Sequence, residues 1–397
     1  MRFLKNAVKI CFAVFLINLY VLQVVFDFSI PNCTQITNII AVAMVLLEML
    51  ASKELTNKLI QTIMPMIVYF GYILISGIAI TLFQSYDLSL VIPYAEKMLL
   101  ALIISSIILN DFSGEYIYLL GIIIAAILGV FSLTNNVSLA IRLRLSETVS
   151  ENTASLIFLF GIICTYLTKS RIMNSYVKLA LNALFMTGII LTASRQAIIL
   201  AFVVYLGWFI RANATRTMEK NGKVKARNII FALFCFLAAI YLIYSGIFDL
   251  FQETKLYVRL TGGSQSTIIS DNTRRYLYTL GIQTFLKNPI VGCGFNNLPQ
   301  YTHSTYLEVL GGTGLIGFLV FYYPFIRKAF SWIRIAKRRD ANSLVVSIEK
   351  ITLLTVVFAM MLFRAVHYYN ISIIIISLIF TDYKGQISER SILLKTE

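Results

Sequence analysis

Arg195, Arg274, Arg275 and His303 are the residues of this chain whose types and settings could do chemistry together. An arginine carries a permanent charge on a planar fork that meets two oxygens of a phosphate at once, which the point charge of a lysine cannot do. A histidine, with an ordinary pKa near 6.5, can take or give a proton at neutral pH. Such a group is suited to holding an oxyanion and moving a proton beside it. His303 lies in Tyr301-Thr302-His303-Ser304-Thr305-Tyr306, just before a long apolar run. A lone histidine is more often a structural hydrogen-bond donor than a base, and that plainer role stays open on these residues alone.

Arg195 sits in Thr192-Ala193-Ser194-Arg195-Gln196, a turn so short between two apolar runs that the guanidinium must lie at or just below a membrane surface. A charge there either faces a cavity on a substrate path or snorkels to lipid phosphates. Arg274 and Arg275 follow Ser270-Asp271-Asn272-Thr273, which reads as a helix N-cap cluster, and Pro289 ends the segment they open. The spacing predicts an amphipathic surface helix with Leu277, Leu280 and Phe285 toward the membrane domain. Both arginines would then fall in its first turn, where the helix dipole disfavours a cation unless an anion is bound. The plain alternative is a solvated pair with Asp271. His367, beside Arg364 in a short hairpin between the last two apolar runs, is a weaker candidate.

Several other chemistries have no residues to carry them. The chain contains no HExxH, no Cys/His metal spacing, no GxxxxGK[ST] and no GxSxG. Asp249, Glu253 and Asp271 are too scattered to hold a divalent ion. No metal and no cofactor is expected, so arginines would have to supply the countercharge for a bound phosphate.

The elements that must position these residues are membrane spans. Of 397 residues 58% are apolar and only 13% charged, with a mean hydropathy of +0.79. A soluble domain has roughly twice that charged fraction. Apolar windows near 8–26, 36–51, 59–83, 92–109, 114–133, 153–168, 176–192, 196–210, 229–248, 304–326, 347–364 and 370–381 predict about twelve transmembrane helices. The fold class is an all-α integral membrane protein, a single polytopic domain over 1–397, with one long extracytoplasmic loop at 249–303 that contains the short amphipathic helix. Pro65 and Pro93 would kink or cap their spans.

The net charge of +15 would suggest nucleic acid in a soluble protein. Here basic residues gather in alternate loops, as the positive-inside bias requires, and nucleic acid is excluded as a partner. That bias predicts both termini in the cytoplasm, and the lack of a small-residue cleavage site after the first apolar run predicts an uncleaved first span. Arg142, Arg144, Arg195, Lys255, Arg259, Arg274, Arg275, Lys287 and Arg364 then fall on the extracytoplasmic side, against the bias, and most are arginines. Of the five cysteines only Cys33 and Cys293 fall in loops on that side, and free thiols are the expectation.

Three pieces together resemble the O-antigen polymerase and ligase superfamily of membrane glycosyltransferases. They are Thr192-Ala193-Ser194-Arg195 opening a span, Arg274 upstream of Asn288-Pro289-Ile290-Val291-Gly292-Cys293-Gly294, and His303-Ser304-Thr305-Tyr306-Leu307-Glu308-Val309-Leu310 followed by Gly314-Leu315-Ile316-Gly317. The likeness covers residues 185–325. It departs at Ser304, where the family usually has Asn after the histidine, which leaves the orienting partner of the imidazole open.

The resemblance implies that Arg195 and Arg274, with Arg275 beside them, contact the pyrophosphate of an undecaprenyl-linked glycan while His303 assists the acceptor hydroxyl. Ser304, Tyr278 and Glu308 are the supporting candidates. It further implies an inverting, metal-independent polymerase of lipid-linked repeat units on the outer face of the cytoplasmic membrane, making a surface polysaccharide such as capsule, exopolysaccharide or O-antigen. The expected partners are the lipid-linked donor and acceptor, the bilayer and a chain-length regulator. The glycines at 311, 312, 314 and 317 would let the following helix pack closely. A ligase moving glycan to lipid A core or protein is the alternative within the family. A flippase of the same lipid-linked sugar is the alternative outside it, with Glu96 and Lys97 as its best intramembrane charges.

Overall fold

Apolar runs this long become helices because a helix satisfies its own backbone polar groups without water. The computed structural model describes residues 2–82, 85–111, 114–134, 143, 145, 150–169, 172–219, 258, 265–337 and 341–381, and among these every regular element is helical. In chain order they are α1 Phe3–Val25, α2 Cys33–Ala51, α3 Lys53–Thr81, α4 Leu88–Asp111, α5 Glu115–Thr134, α6 Glu151–Leu167, α7 Ser175–Leu191, α8 Arg195–Glu219, α9 Gln265–Lys287, α10 Thr305–Ala336, α11 Ala341–Phe363 and α12 Asn370–Phe380. Eight of them, α1 to α5 with α8, α10 and α11, are long and apolar enough to cross a membrane, whereas α6, α7 and α12 are apolar but shorter. The chain is a membrane protein. The window at 229–248, most of the loop before Gln265, Cys235, Arg142, Arg144, Lys255 and Arg259 lie outside the described residues.

Polar contacts sort the connections into two ends of the bundle. At one end Tyr86 donates to the Phe295 carbonyl at 2.8 Å, Asn296 donates to the Leu90 carbonyl at 2.9 Å, and Arg195 pairs with Asp271 at 2.7 Å. At the other, Lys9 pairs with Asp111, Lys169 with Glu115 at 2.9 Å and Arg211 with Glu349 at 2.8 Å. That second end also places cations on helix C-termini. Lys178 donates to the Thr168 carbonyl and Arg211 to the Tyr166 carbonyl (2.7 Å) at the end of α6. Lys350 donates to the carbonyls of Leu378 and Thr381 (3.1 Å) at the end of α12. Free carbonyls and the negative pole of the dipole are what a cation satisfies there.

Pro65 lies inside α3, and Pro93 stands where the opening 3-10 turn of α4 gives way to α-helix. Lys97 donates to Asn370 Oδ1 at 2.6 Å, tying α4 to the start of α12 rather than standing free in mid-span. Cys11, Cys33, Cys164 and Cys293 are free thiols, so Cys33 and Cys293 are not bridged.

The feature that shapes the site is a break in α10. Gly314 leaves helical geometry at φ 65°, and the segment Pro289–Gly294 runs its backbone into the gap. Leu315 N–H donates to the Pro289 carbonyl at 2.9 Å, while Cys293 and Gly294 N–H donate to the carbonyls of Gly311 (3.1 Å) and Gly312 (2.9 Å). A Cβ on Gly314 would sit 2.3 Å from the Ile290 carbonyl oxygen, and one on Gly292 (φ 76°) would sit 2.4 Å from the Gly312 carbonyl carbon. Only glycine fits either place. The glycine-rich run was expected to admit a packing helix. At Gly312 and Gly314 it admits a loop, whose irregular backbone is satisfied by other backbone, while at Gly311 the Gly281 carbonyl of α9 lies 3.3 Å from where a Cβ would be.

Candidate functional site

The loop leaving that break carries His303 and is fixed along its length. Phe295 packs edge-on to Tyr69 and Tyr94, with ring centroids 6.2 and 5.7 Å apart. Asn296 is held by Leu90 and by the Tyr368 hydroxyl. Thr302 gives both its N–H and its hydroxyl (2.9 Å) to the buried carboxylate of Glu308, one turn into α10. His303 then takes a left-handed backbone at φ 58°, a conformation that costs a non-glycine residue about 1–2 kcal/mol and that clusters at functional sites. Its ring meets the Tyr301 ring edge-on at 4.4 Å.

Ser304 and Thr305 tie the start of α10 to the end of α11. The Ser304 hydroxyl donates to the Met361 carbonyl at 3.3 Å. Thr305 N–H donates to the Arg364 carbonyl at 3.1 Å, and its hydroxyl donates to the same oxygen. Ser304 is thus engaged with the backbone of α11. The brace on the His303 loop comes from Glu308.

Arg274 reaches the same place from α9, though not as the sequence predicted. The helix begins at Gln265, so Ser270–Thr273 are interior residues rather than a cap, and both arginines lie more than two turns in, beyond the N-terminal dipole. The cap signature misleads because Asp271 is drawn into an ion pair with a residue distant in sequence. Asp271, Arg274, Leu277, Gly281 and Thr284 recur at helical spacing on one face, and Leu277, Gly281 and Thr284 are buried. A Cβ on Gly281 would lie 3.1 Å from the Thr302 side chain, so α9 packs closely on the loop that carries His303. Leu280 and Phe285 are half-buried. Tyr278, one turn beyond Arg274, donates to the Leu362 carbonyl at 3.3 Å and fastens α9 to the end of α11. Arg275 is exposed, one residue round from the stripe that Arg274 shares.

Arg195 begins α8 after a turn in which Ala193 has φ 51°. Its Nη2 donates to Asp271 Oδ1 at 2.7 Å and its Nη1 to Oδ2 at 3.4 Å. A two-point pair of this kind fixes the plane of the guanidinium. Since Asp271 and Arg274 are three residues apart on one helix face, the pair brings Arg195 beside Arg274.

One residue at this site was not singled out from the sequence. Arg364, only 5% exposed, follows α11 and lies against the His303 loop. Its Nε donates to Gln196 Oε1 at 3.0 Å and its Nη2 to the Asn152 carbonyl at 2.7 Å. The sequence offers only a charge at a span edge, indistinguishable from one that snorkels. The signal is its setting, assembled from α6, α8 and α10.

These charges act on the imidazole. Partial burial, then the fields of Arg274 and Arg364, hold the His303 pKa below its ordinary 6.5, so at neutral pH the ring is neutral and able to accept a proton. His367 is different in kind. Fully buried against Phe295 and Tyr368, with neither ring nitrogen hydrogen-bonded, it is pushed by burial to about 3 and stays uncharged near neutral pH. It lines a small cavity of about 30 Å³ with Tyr69, Tyr94, Phe321 and Phe325, an apolar space apart from the arginines. Among the described residues no group of His, Cys, Asp and Glu is arranged to hold a metal ion.

Residues 180–322 match a family model described as O-antigen ligase. That stretch runs from α7 into α10 and contains Arg195, Arg274, Arg275 and His303, while Arg364 lies beyond it. The match supports a place for the chain in the O-antigen polymerase and ligase superfamily, whose members process glycans in membranes. No curated protein matches the chain.

Proposed function

We propose that the chain is a glycosyltransferase that polymerises undecaprenyl-pyrophosphate-linked repeat units into a surface polysaccharide on the outer face of the cytoplasmic membrane. The observation that carries this reading is the meeting of a neutral histidine with guanidinium groups at one end of the bundle. The hydroxyl of the incoming unit attacks the anomeric carbon of the growing chain from the face opposite the pyrophosphate. A new C–O bond forms as the C–O bond to the phosphate breaks, so the anomeric configuration inverts. The proton of the hydroxyl passes to a ring nitrogen of His303, and the bonding electrons leave with the lipid pyrophosphate. Arg195 and Arg274 stabilise the charge that grows on the departing phosphate, with Arg275 at the rim. Fixed donors of this kind need no reorganisation during the step, which is where their advantage lies.

The gathering of the candidate arginines and histidine at one end of the bundle fits chemistry at a surface better than alternating access, which wants charges along a path. Lys97, the best intramembrane charge for a transporter, is engaged with Asn370. The description of the matching family keeps a second reading in view, ligation of finished glycan to an acceptor such as lipid A core. Deletion of the gene in its own cell separates the three. A polymerase deletion leaves single repeat units on the surface, a flippase deletion leaves none, and a ligase deletion leaves full-length polymer on the lipid carrier. Either of the last two patterns overturns the proposal.

A further inference from the structure

Arg364 is an unbalanced charge. The residue is only 5% exposed, and among the described residues no carboxylate lies within ion-pairing distance of it. Two of its nitrogens are bolted in place by Gln196 and the Asn152 carbonyl, but Nη1 is buried with no hydrogen-bond partner. The groups near it that favour its charge are Tyr369, whose ring centre lies 5.0 Å away, and Tyr301. Neither is a carboxylate. A buried cation without a counterion costs several kcal/mol, and proteins that keep one at a membrane surface generally use it on a ligand path.

Its neighbours say what that ligand is. The Arg364 backbone receives the N–H of Thr305, two residues after His303. Tyr301, whose ring touches His303, accepts the N–H of Ala365. Gln196 is the residue after Arg195, and Tyr278, one turn from Arg274, is tied to Leu362. Arg364 therefore stands between the elements that carry the other two guanidinium groups and the imidazole. Arg195 already spends its fork on Asp271, whereas Arg364 holds an open donor.

We infer that Arg364 is an anion-binding residue of this site that binds a diphosphate through the N–H groups left free at Nη1, completing a set of three arginines around the leaving group. This rests on the function proposed above, which supplies the diphosphate. With no anion bound, the three cations repel one another, and the Asp271 carboxylate paired with Arg195 offsets part of that charge. A diphosphate neutralises the set, and Arg364 is the member whose burial makes that neutralisation worth most.

The test uses the full-length protein purified in detergent and reads binding apart from turnover. Thermal unfolding is followed with and without inorganic pyrophosphate, and with undecaprenyl pyrophosphate in mixed micelles, for wild type, Arg364→Gln and Arg364→Lys. The inference expects both probes to raise the midpoint of wild type. It expects that rise to vanish in Arg364→Gln, whose midpoint without ligand is no lower than wild type because a buried charge has been removed. Transfer by Arg364→Gln should fall about 10–100-fold, the range for losing one charge-assisted hydrogen bond, and Arg364→Lys should recover little of it. A lower ligand-free midpoint with the pyrophosphate rise intact would make Arg364 a structural tie and overturn the inference, as would an unchanged rise in a stable variant. Because the pyrophosphate arm contains no sugar, an anion site lost in Arg364→Gln survives even if wild type proves to transfer no glycan. Normal transfer in both Arg364 variants sinks this inference alone.

Discussion

Glu308→Ala should uncouple the placement of His303 from the presence of His303. The Glu308 carboxylate holds the Thr302 N–H and its hydroxyl, and the next residue is the left-handed His303. After truncation the hydroxyl keeps a second acceptor, the Ser304 carbonyl at 3.3 Å, but the buried N–H has none. An orphaned buried donor costs about 1–3 kcal/mol, and the left-handed backbone that the brace upholds costs about 1–2 kcal/mol more. Both are relieved if residues 302–303 relax. A shift of about 1 Å in a catalytic group costs about 100-fold in rate, equal to about 2.7 kcal/mol of barrier. Glu308→Gln retains one acceptor oxygen and should lose only about 10-fold by the same scale. The assay is initial-rate glycan transfer by purified, monodisperse protein, with kcat and KM separated, since a positioning defect lowers kcat and leaves donor KM near wild type. A folded Glu308→Ala enzyme at the wild-type rate would refute the idea that this brace places the base.

His303→Ala should abolish transfer with the protein level intact, and polymer of normal length from that variant would make the residue structural. The acid limb of the rate should lie at lower pH than for an ordinary histidine, since the base is lost only as pH drops through the depressed pKa of His303. Arg274→Gln removes a cation that favours the neutral ring, so the pKa rises and the acid limb should move to higher pH, with no movement counting against the electrostatic coupling. Arg195→Lys and Arg274→Lys should shorten or abolish polymer although charge is kept, because Arg195 loses its two-point pair with Asp271 and Arg274 its two-point contact with a phosphate, and unchanged chain length on a gel would contradict a pyrophosphate clamp. Gly314→Ala should fail to fold, since its Cβ would fall on the Ile290 carbonyl, and a stable variant at wild-type yield would deny the inserted loop its structural place. Activity should survive EDTA, and a strict divalent-ion requirement would count against arginines as the source of countercharge.

The long apolar windows were legible because each is decided by its own residues, and helix is the only form that closes its hydrogen bonds in lipid. The end of α9 before Pro289 was legible for a similar local reason. Its beginning was not. Ser270-Asp271-Asn272-Thr273 has the composition of a cap, and nothing nearby in the chain discloses that Asp271 is claimed by Arg195, 76 residues away. Arg364 was legible only as one of several cations expected on the extracytoplasmic side. Its meaning comes from Asn152, Gln196 and Thr305, on three elements far from it in sequence. The glycines of α10 advertised a close approach but not what approaches, since only the fold shows the backbone of Pro289–Gly294 lying in the break. Residue types named the chemistry of the site, and tertiary contacts decided which side chains share it.

The most direct measurement is incubation of the purified protein with a defined undecaprenyl-pyrophosphate-linked repeat unit and no other component than detergent and buffer. A ladder of products spaced by one repeat, with one undecaprenyl pyrophosphate released per step and both lost in His303→Ala, is what the proposed reaction requires. No extension by wild type, or a ladder that persists in His303→Ala, would contradict it.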